Sequence, residues 1–285
     1  MIKAALVLEG GALRGMYTSG VLDTFLKHNI EFECVAGVSA GALNAMSYIT
    51  KQEGRSAKIN LEYCDDPKYI GRKAIRKNKG IIGYDYLFGD ISENKVPFDY
   101  KAFEDTKQRF IIVTTNCEKA ETEYLEKNNC NNLFKAAQAS SSMPLASAMV
   151  EMNKNHYLDG AVTDSIPVKW ALQEGYEKVV VVLTRDKKYR KPTTSTKMKK
   201  LYKIAYHKYP KLINKLNTMP ERYNKLQDEL IELEKEGKIF IIRPEKEVKV
   251  DRLEKDKTKL EDLYKEGITE AEEKLEELKR YLDIC

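Results

Sequence analysis

Histidine is scarce in this chain, cysteine is scattered and long apolar runs are missing, and each shortage removes a class of function. Only three histidines occur among 285 residues, His28, His156 and His207. No two share a helical turn, which excludes a zinc site of the H-E-x-x-H type. The five cysteines, Cys34, Cys64, Cys117, Cys130 and Cys285, are odd in number and nowhere spaced C-x-x-C. That pattern argues against a disulfide framework and a structural zinc, and fits a reducing cytoplasm. No metal and no cofactor is expected. Apolar stretches such as residues 4–8 and 179–183 are strand-sized, well short of the ~18 residues that cross a bilayer. The chain enters a strand at Ile2, which leaves no space for a secretory leader, so a cytoplasmic location is expected.

What is present is the composition of a globular protein, 42% hydrophobic and 33% charged, in a chain long enough for one large α/β domain or two small ones. Net charge is only +5 but is unevenly spread. Residues 185–215 hold twelve basic side chains against the single acid Asp186, so this segment carries +11 and the rest of the chain −6. Interleaved with Tyr189, Tyr202, Tyr206 and Tyr209, it suits peripheral contact with an anionic membrane at the inner face. A solvated surface accounts for it equally well. A second cluster, six basic residues within 68–79, would extend such a patch. No nucleic-acid recognition motif accompanies the charge, and no nucleic-acid partner is expected. Oligomeric state is not encoded legibly.

Strands alternate with helices along the first part of the chain. An apolar run at 2–8 is broken by Gly10 and Gly11. Residues 16–26 then repeat apolar positions at helical spacing, a short strand follows at 32–36, and a helix at 40–49. Further strands are predicted at 110–115, paired with 122–125, and at 178–184 after a helix at 167–174. This alternation predicts an α/β fold with a mainly parallel central sheet covered on both faces, a three-layer α/β/α arrangement. A basic helical insertion occupies about 186–236. The α/β domain closes with a strand at 238–243, placing its boundary at residue 244. Residues 245–285 form a helical C-terminal extension, with Leu260, Tyr264, Ile268, Ala271, Leu275, Leu278 and Leu282 on one face.

Two glycine-bounded turns carry the chemistry. Gly37-Val38-Ser39-Ala40-Gly41 puts a serine on a sharp strand-to-helix turn, with small flanking residues at Gly37 and Gly41 that let the backbone bend. The helix behind it aims amides at any oxyanion that forms. At this glycine and serine content, chance yields about 0.03 such pentapeptides. Glu9-Gly10-Gly11-Ala12-Leu13-Arg14-Gly15 ends the first strand, and bare glycine amides there suit a phosphate or an oxyanion. Adjacent strands of a right-handed βαβ unit lie ~4.8 Å apart, so both loops open into one crevice at the carboxyl edge of the sheet.

A base for the serine is harder to choose. Asp159 followed by His207 respects the chain order of an α/β-hydrolase triad, but that fold places several strands ahead of its nucleophile and only two fit before Ser39. His207 lies among lysines, and His156 reads as part of a hairpin. A carboxylate acting directly fits better. Asp159, in Tyr157-Leu158-Asp159-Gly160-Ala161, is the first candidate, provided that burial raises its basicity. Asp164 is the competitor, and an Asp-Gly hairpin turn is the bland alternative.

The glycine loop, the G-x-S-x-G turn and the Asp-Gly-Ala motif, in this order, resemble the patatin-like phospholipases. Ala139-Ser140-Ser141-Ser142-Met143-Pro144 and Asp164-Ser165-Ile166-Pro167-Val168 add to the likeness across residues 1–185. The strand at 239–244 and helix at 252–267 are similar to the bacterial branch. The resemblance implies a lipid acyl hydrolase (phospholipase, lysophospholipase or esterase) working through a Ser–Asp dyad and an acyl-enzyme, with a lipid ester as substrate. By that likeness Ser39 is the nucleophile and Asp159 the proton acceptor. Gly10, Gly11, Ala12 and Arg14 furnish the oxyanion loop. Many members have a third glycine where this chain has Ala12; alanine keeps the amide but is strained if the turn needs a positive φ.

Two other classes of function remain open. A catalytically silent membrane- or partner-binding protein would use the same fold without turnover. A nucleotide-binding module would use the first glycine loop, although residues 10–15 match neither G-x-G-x-x-G nor the P-loop.

Overall fold

The computed structural model describes residues 1–284. Its centre is one mixed, mostly parallel eight-stranded sheet. In chain order the strands are β1 (Ile2–Leu8), β2 (Phe32–Val38), β3 (Arg109–Asn116), β4 (Glu121–Glu126), β5 (Val150–Met152), β6 (Asn155–Asp159), β7 (Val179–Val182) and β8 (Phe240–Ile242). Strands β3, β2, β1, β7 and β8 lie side by side and parallel. Antiparallel β4, β6 and β5 complete the β3 side.

The near-continuous apolar strands are those of a sheet buried on both faces, and their side chains sort by the two-residue period of a strand. Leu6, Leu8, Ile112, Val180 and Ile242 face one core. Val7, Ile111, Val179, Val181 and Ile241 face the other. The first core is closed by helices α1 (Gly15–Lys27) and α2 (Ala40–Ile49) and by the C-terminal helix Lys257–Glu273, through Tyr17, Phe25, Ala45, Leu260 and Leu263. The second is closed by the helix Val168–Gln173 and by Tyr223 and Leu230 of the helix Met219–Lys235. The three-layer expectation from the strand–helix alternation is met.

The strand expected at 178–184 is shorter, Val179–Val182; the Leu183 amide still donates to the Ile242 carbonyl of β8, and the Thr184 amide turns to the Glu9 carboxylate. The C-terminal amphipathic stretch resolves into two helices, Lys257–Glu273 and Leu275–Leu282. Its apolar face joins the same core as β1 rather than forming a separate one. Helix α1 and Lys257–Glu273 cross backbone to backbone: a Cβ on Gly20 would stand 2.2 Å from the Tyr264 carbonyl oxygen, and one on Gly267 2.2 Å from that of Tyr17. The Tyr17 hydroxyl donates to Glu270 across the same seam at 2.6 Å. Both side chains are buried, so the bond satisfies polar atoms that water cannot reach. Among the described residues no helix is long and apolar enough to cross a membrane.

Gly267→Ala should force the two helices apart and lower stability by about 2 kcal/mol, the usual scale of overpacking. Urea unfolding with an unchanged midpoint would contradict the close crossing.

Candidate active site

One edge of β3 is shared by two strands running toward each other. Residues Arg109–Val113 pair in parallel with β2, whose last pair is Val38 with Val113. Thr114–Asn116 pair antiparallel with β6, whose last residue, Asp159, stands opposite Thr114. Since β4 holds the other edge, the carboxyl ends of β2 and β6 meet head to head. Ser39 and Asp159, 120 positions apart in the chain, leave their strands at that junction.

The Ser39 turn is as tight as the pentapeptide implies. Ser39 has φ 55° and ψ −124°, a conformation that costs a non-glycine residue roughly 1–3 kcal/mol. A Cβ on Gly37 would lie 2.6 Å from the backbone of Ala42, and one on Gly41 2.5 Å from the Leu8 carbonyl oxygen, so neither position admits a side chain. The Ser39 amide donates to the Ser140 hydroxyl at 2.8 Å, which in turn donates to the Val113 carbonyl at 2.7 Å. Ser140 therefore ties the turn to β3. The serine run was visible in the sequence, but nothing local marked which hydroxyl does this.

Asp159 is 6% exposed. Its amide donates to the Ser142 carbonyl at 2.9 Å and its carbonyl accepts from the Thr115 hydroxyl at 2.9 Å. Its carboxylate accepts from the Ala161 amide at 2.9 Å and lines the same cavity as the Ser39 side chain. Burial pushes the carboxyl up to about 6, against the opposing pull of the Ala161 amide, Ser39, Arg252 and Lys191. Asp164 is engaged elsewhere, accepting from the Tyr124 hydroxyl and the Ile166 amide. His156, on the β5–β6 hairpin, pairs with Glu118 of the β3–β4 turn, and His207 lies exposed on the surface. Neither histidine lines a cavity with Ser39.

The glycine loop closes over the serine. A Cβ on Gly10 would stand 2.9 Å from that of Ser39. Among the described residues the amides of Gly10, Gly11 and Ala12 donate to no protein acceptor, whereas those of Leu13 and Arg14 are held by Arg252 and Gly11. Ala12 takes φ 50°, the left-handed conformation that a third glycine would adopt freely and that costs alanine roughly 1–2 kcal/mol. Upstream, the Glu9 carboxylate accepts from the Thr184 amide and hydroxyl and from the Tyr223 hydroxyl, all within 3.1 Å.

Ser39, Ala12, Met143 and Arg252 stand where two cavities join. One is walled by Leu43, Ile59, Ile82, Phe88, Phe98 and Phe134. The other contains Gly10, Gly11, Arg14 and Asp159, with Arg185, Lys191, Tyr189 and Tyr223 also on its wall. Sequence reading located the loop, the serine and the carboxylate. It did not anticipate that Arg185 and Lys191, the first part of the basic stretch, turn inward.

At neutral pH a carboxyl with this raised value leaves the folded state about 3 kcal/mol less stable than an ordinary carboxylate would. The folded state holds its proton between the ordinary carboxylate range and about 6, so the Asp159 contribution to stability falls as pH rises through that window. Asp159→Asn should accordingly gain on the natural protein in unfolding free energy between pH 4 and pH 7. Denaturant titrations at both pH values test this, and a gap that stays constant would refute the burial effect.

The family comparisons agree with this architecture. The patatin-like phospholipase model matches residues 6–172, and a "Domain of unknown function (DUF6363)" matches 209–283. The chain is 29% identical over 188 residues to the uncharacterized protein YjjU of Escherichia coli K12, covering 64% of this chain and 52% of that one. It is 27% identical over 184 residues to lysophospholipase NTE1 of Meyerozyma guilliermondii, covering 62% of this chain and 12% of the relative. It thus spans about half of the first relative and a small part of the second. The solved structure of VipD from Legionella pneumophila aligns with 98% of this chain and 66% of its own, at 12% identity and a TM-score of 0.47. With the family match running from β1 through the Asp159 turn to the helix Val168–Gln173, the chain belongs to the patatin-like phospholipase family.

Proposed function

We propose that the protein is a serine-dependent lipid acyl hydrolase that cleaves carboxylic esters through a Ser39–Asp159 dyad. The observation that carries this reading is the convergence of Ser39, the buried Asp159 and the uncommitted Gly10–Ala12 amides on one cavity, at the mouth of a second, apolar one. In the reaction Asp159 accepts the Ser39 proton as the oxygen attacks the ester carbonyl. The amides of the Gly10–Gly11–Ala12 loop stabilise the tetrahedral oxyanion, each contributing roughly 3 kcal/mol to the barrier reduction. Asp159 returns the proton to the leaving alcohol, and water then releases the acid from the acyl-enzyme. An apolar, aromatic lining of this kind suits an acyl chain. The family membership supports the same chemistry.

A fluorophosphonate probe should label Ser39, and Ser39→Ala should abolish both labelling and ester cleavage. Asp159→Asn should lower kcat by at least about 100-fold, the contribution of a positioned general base, while Asp164→Asn retains it. Because the base must be ionised, kcat/KM should rise with pH through about 6 and then level off. Full activity in Asp159→Asn, or an acid limb near pH 4, would overturn the assignment.

Contact with an anionic lipid surface has its own support. The helix Thr196–Ala205 buries none of its residues. Leu201 is 40% exposed and Ile204 73%, between the exposed Lys197, Lys200 and Lys203. Met198 and Tyr202 of the same helix line the basic cavity, so this apolar edge adjoins the site. Ile204→Glu should reduce cosedimentation with phosphatidylglycerol vesicles while leaving hydrolysis of a soluble short-chain ester unchanged. Equal cosedimentation would remove the helix from the contact.

A further inference from the structure

The second cavity contains more positive charge than the protein neutralises. Arg14, Arg185, Lys191 and Arg252 all line it, and among the described residues none forms an ion pair with a carboxylate within 4 Å. Arg14 is 8% exposed, yet its Nε has no partner and no acceptor in the protein takes a hydrogen bond from its guanidinium. The Nε of Arg185 is likewise buried without a partner. The cavity's acids are spoken for. Glu9 accepts from Thr184 and Tyr223, and Asp159 from Ala161. Aromatic faces, not anions, support two of the cations, with Lys191 Nζ 3.7 Å from the Tyr223 ring centroid and the Arg185 guanidinium 4.3 Å from that of Tyr189.

Their mutual repulsion is visible. Burial, then Arg185 and Arg252, pull Arg14 down to about 10 against the attraction of Glu9. Burial, with smaller pushes from Arg252 and Arg14, brings Lys191 down to about 8 against the attraction of Glu9 and Asp159. Arg14 is buried, Arg185 and Lys191 are half-buried, with Arg185 donating one bond to the Val248 carbonyl, and Arg252 stands exposed at the rim. Partly desolvated charges of one sign are costly unless a counter-charge joins them. Forked guanidiniums and an ammonium converging on one volume match the oxygens of a phosphate group. The position of the cluster selects which phosphate. Ser39 lies between this cavity and the apolar one, so a group bound here is on the alcohol side of an ester whose acyl chain occupies the other.

We propose that Arg14, Arg185, Lys191 and Arg252 form a subsite for the phosphate-bearing headgroup of the lipid ester. Three of the four lie outside the stretch matched by the patatin-like phospholipase model, and Arg252 and Tyr223 fall within the domain of unknown function. The headgroup wall is therefore supplied by the C-terminal part of this chain, and one task of that domain is to complete the substrate site. The inference rests on the hydrolase reading for its lipid, and on the cavity alone for its anion.

The full-length Ser39→Ala protein separates the two. By calorimetry it should bind glycerol 3-phosphate at one site and not bind glycerol, and adding Lys191→Met or Arg185→Gln should weaken that binding at least tenfold. Methionine preserves the stem that lies on Tyr223, and circular dichroism checks that each variant folds. In the active protein, kcat/KM for 1-oleoylglycerol 3-phosphate should exceed that for 1-oleoylglycerol at least tenfold, and both substitutions should shrink the ratio. Binding of glycerol 3-phosphate without any ester turnover would defeat the hydrolase reading and leave the anion site standing. Undetectable binding, or binding indifferent to both substitutions, would overturn the subsite. Inorganic phosphate binding as tightly as glycerol 3-phosphate, with the two lipids cleaved equally, would assign the cluster to free phosphate and overturn its headgroup role.

Discussion

The site depends on the pairing of two strands along a single edge of β3. Because β2 ends at Val38 opposite Val113 and β6 ends at Asp159 opposite Thr114, running the other way, their ends are fixed by main-chain pairing with β3. Ser39 and Asp159 inherit that precision. Side-chain hydroxyls extend it: Ser140 spans from the Ser39 amide to β3, and Thr115 holds the Asp159 carbonyl. A one-residue slip of β6 would turn Asp159 to the other face of the sheet. The register also decides the core, so the constraint that builds the site is the one that builds the fold.

Around that junction the protein tolerates several locally unfavourable states. Ser39 and Ala12 carry positive φ, Asp159 is buried, and Arg14 lacks an acceptor. Each carries a local cost that the surrounding fold must offset. They gather within one crevice, where strain exposes a hydroxyl, burial strengthens a weak base and unpaired cations await an anion. The parallel sheet supplies the rigidity, since β1, β2 and β7 are buried on both faces and cannot relax toward the site.

How much of this was legible varied with the range of the interaction. The Gly37 to Gly41 turn and the Asp159-Gly160 pair could be read because their geometry is set within a few residues. The alternation of strands and helices gave the layers for the same reason. Ser140 was not legible as a brace, since its partners lie on β2 and β3, and a run of three serines gives no hint which one reaches them. The inward turn of Arg185 and Lys191 was hidden as well. Composition describes 185–215 as uniformly basic, whereas burial divides it into two cavity cations followed by an exposed helical face. The C-terminal helices read correctly as amphipathic, but periodicity does not name the partner, and the close crossing at Gly20 and Gly267 came only with the fold.

That crossing has a bearing on how the molecule is made. Tyr17 and Glu270 are 253 residues apart, and a nascent chain emerging at ~5–20 residues per second needs roughly 12–50 s between them. Throughout that interval α1 has left the ribosome with its apolar stripe unclothed, and the parallel sheet beneath it, rich in non-local pairings, is itself slow to assemble. Synthesis of the last turn of Lys257–Glu273 is thus the event that ends the period in which the growing polypeptide is most exposed to aggregation and most in need of a chaperone.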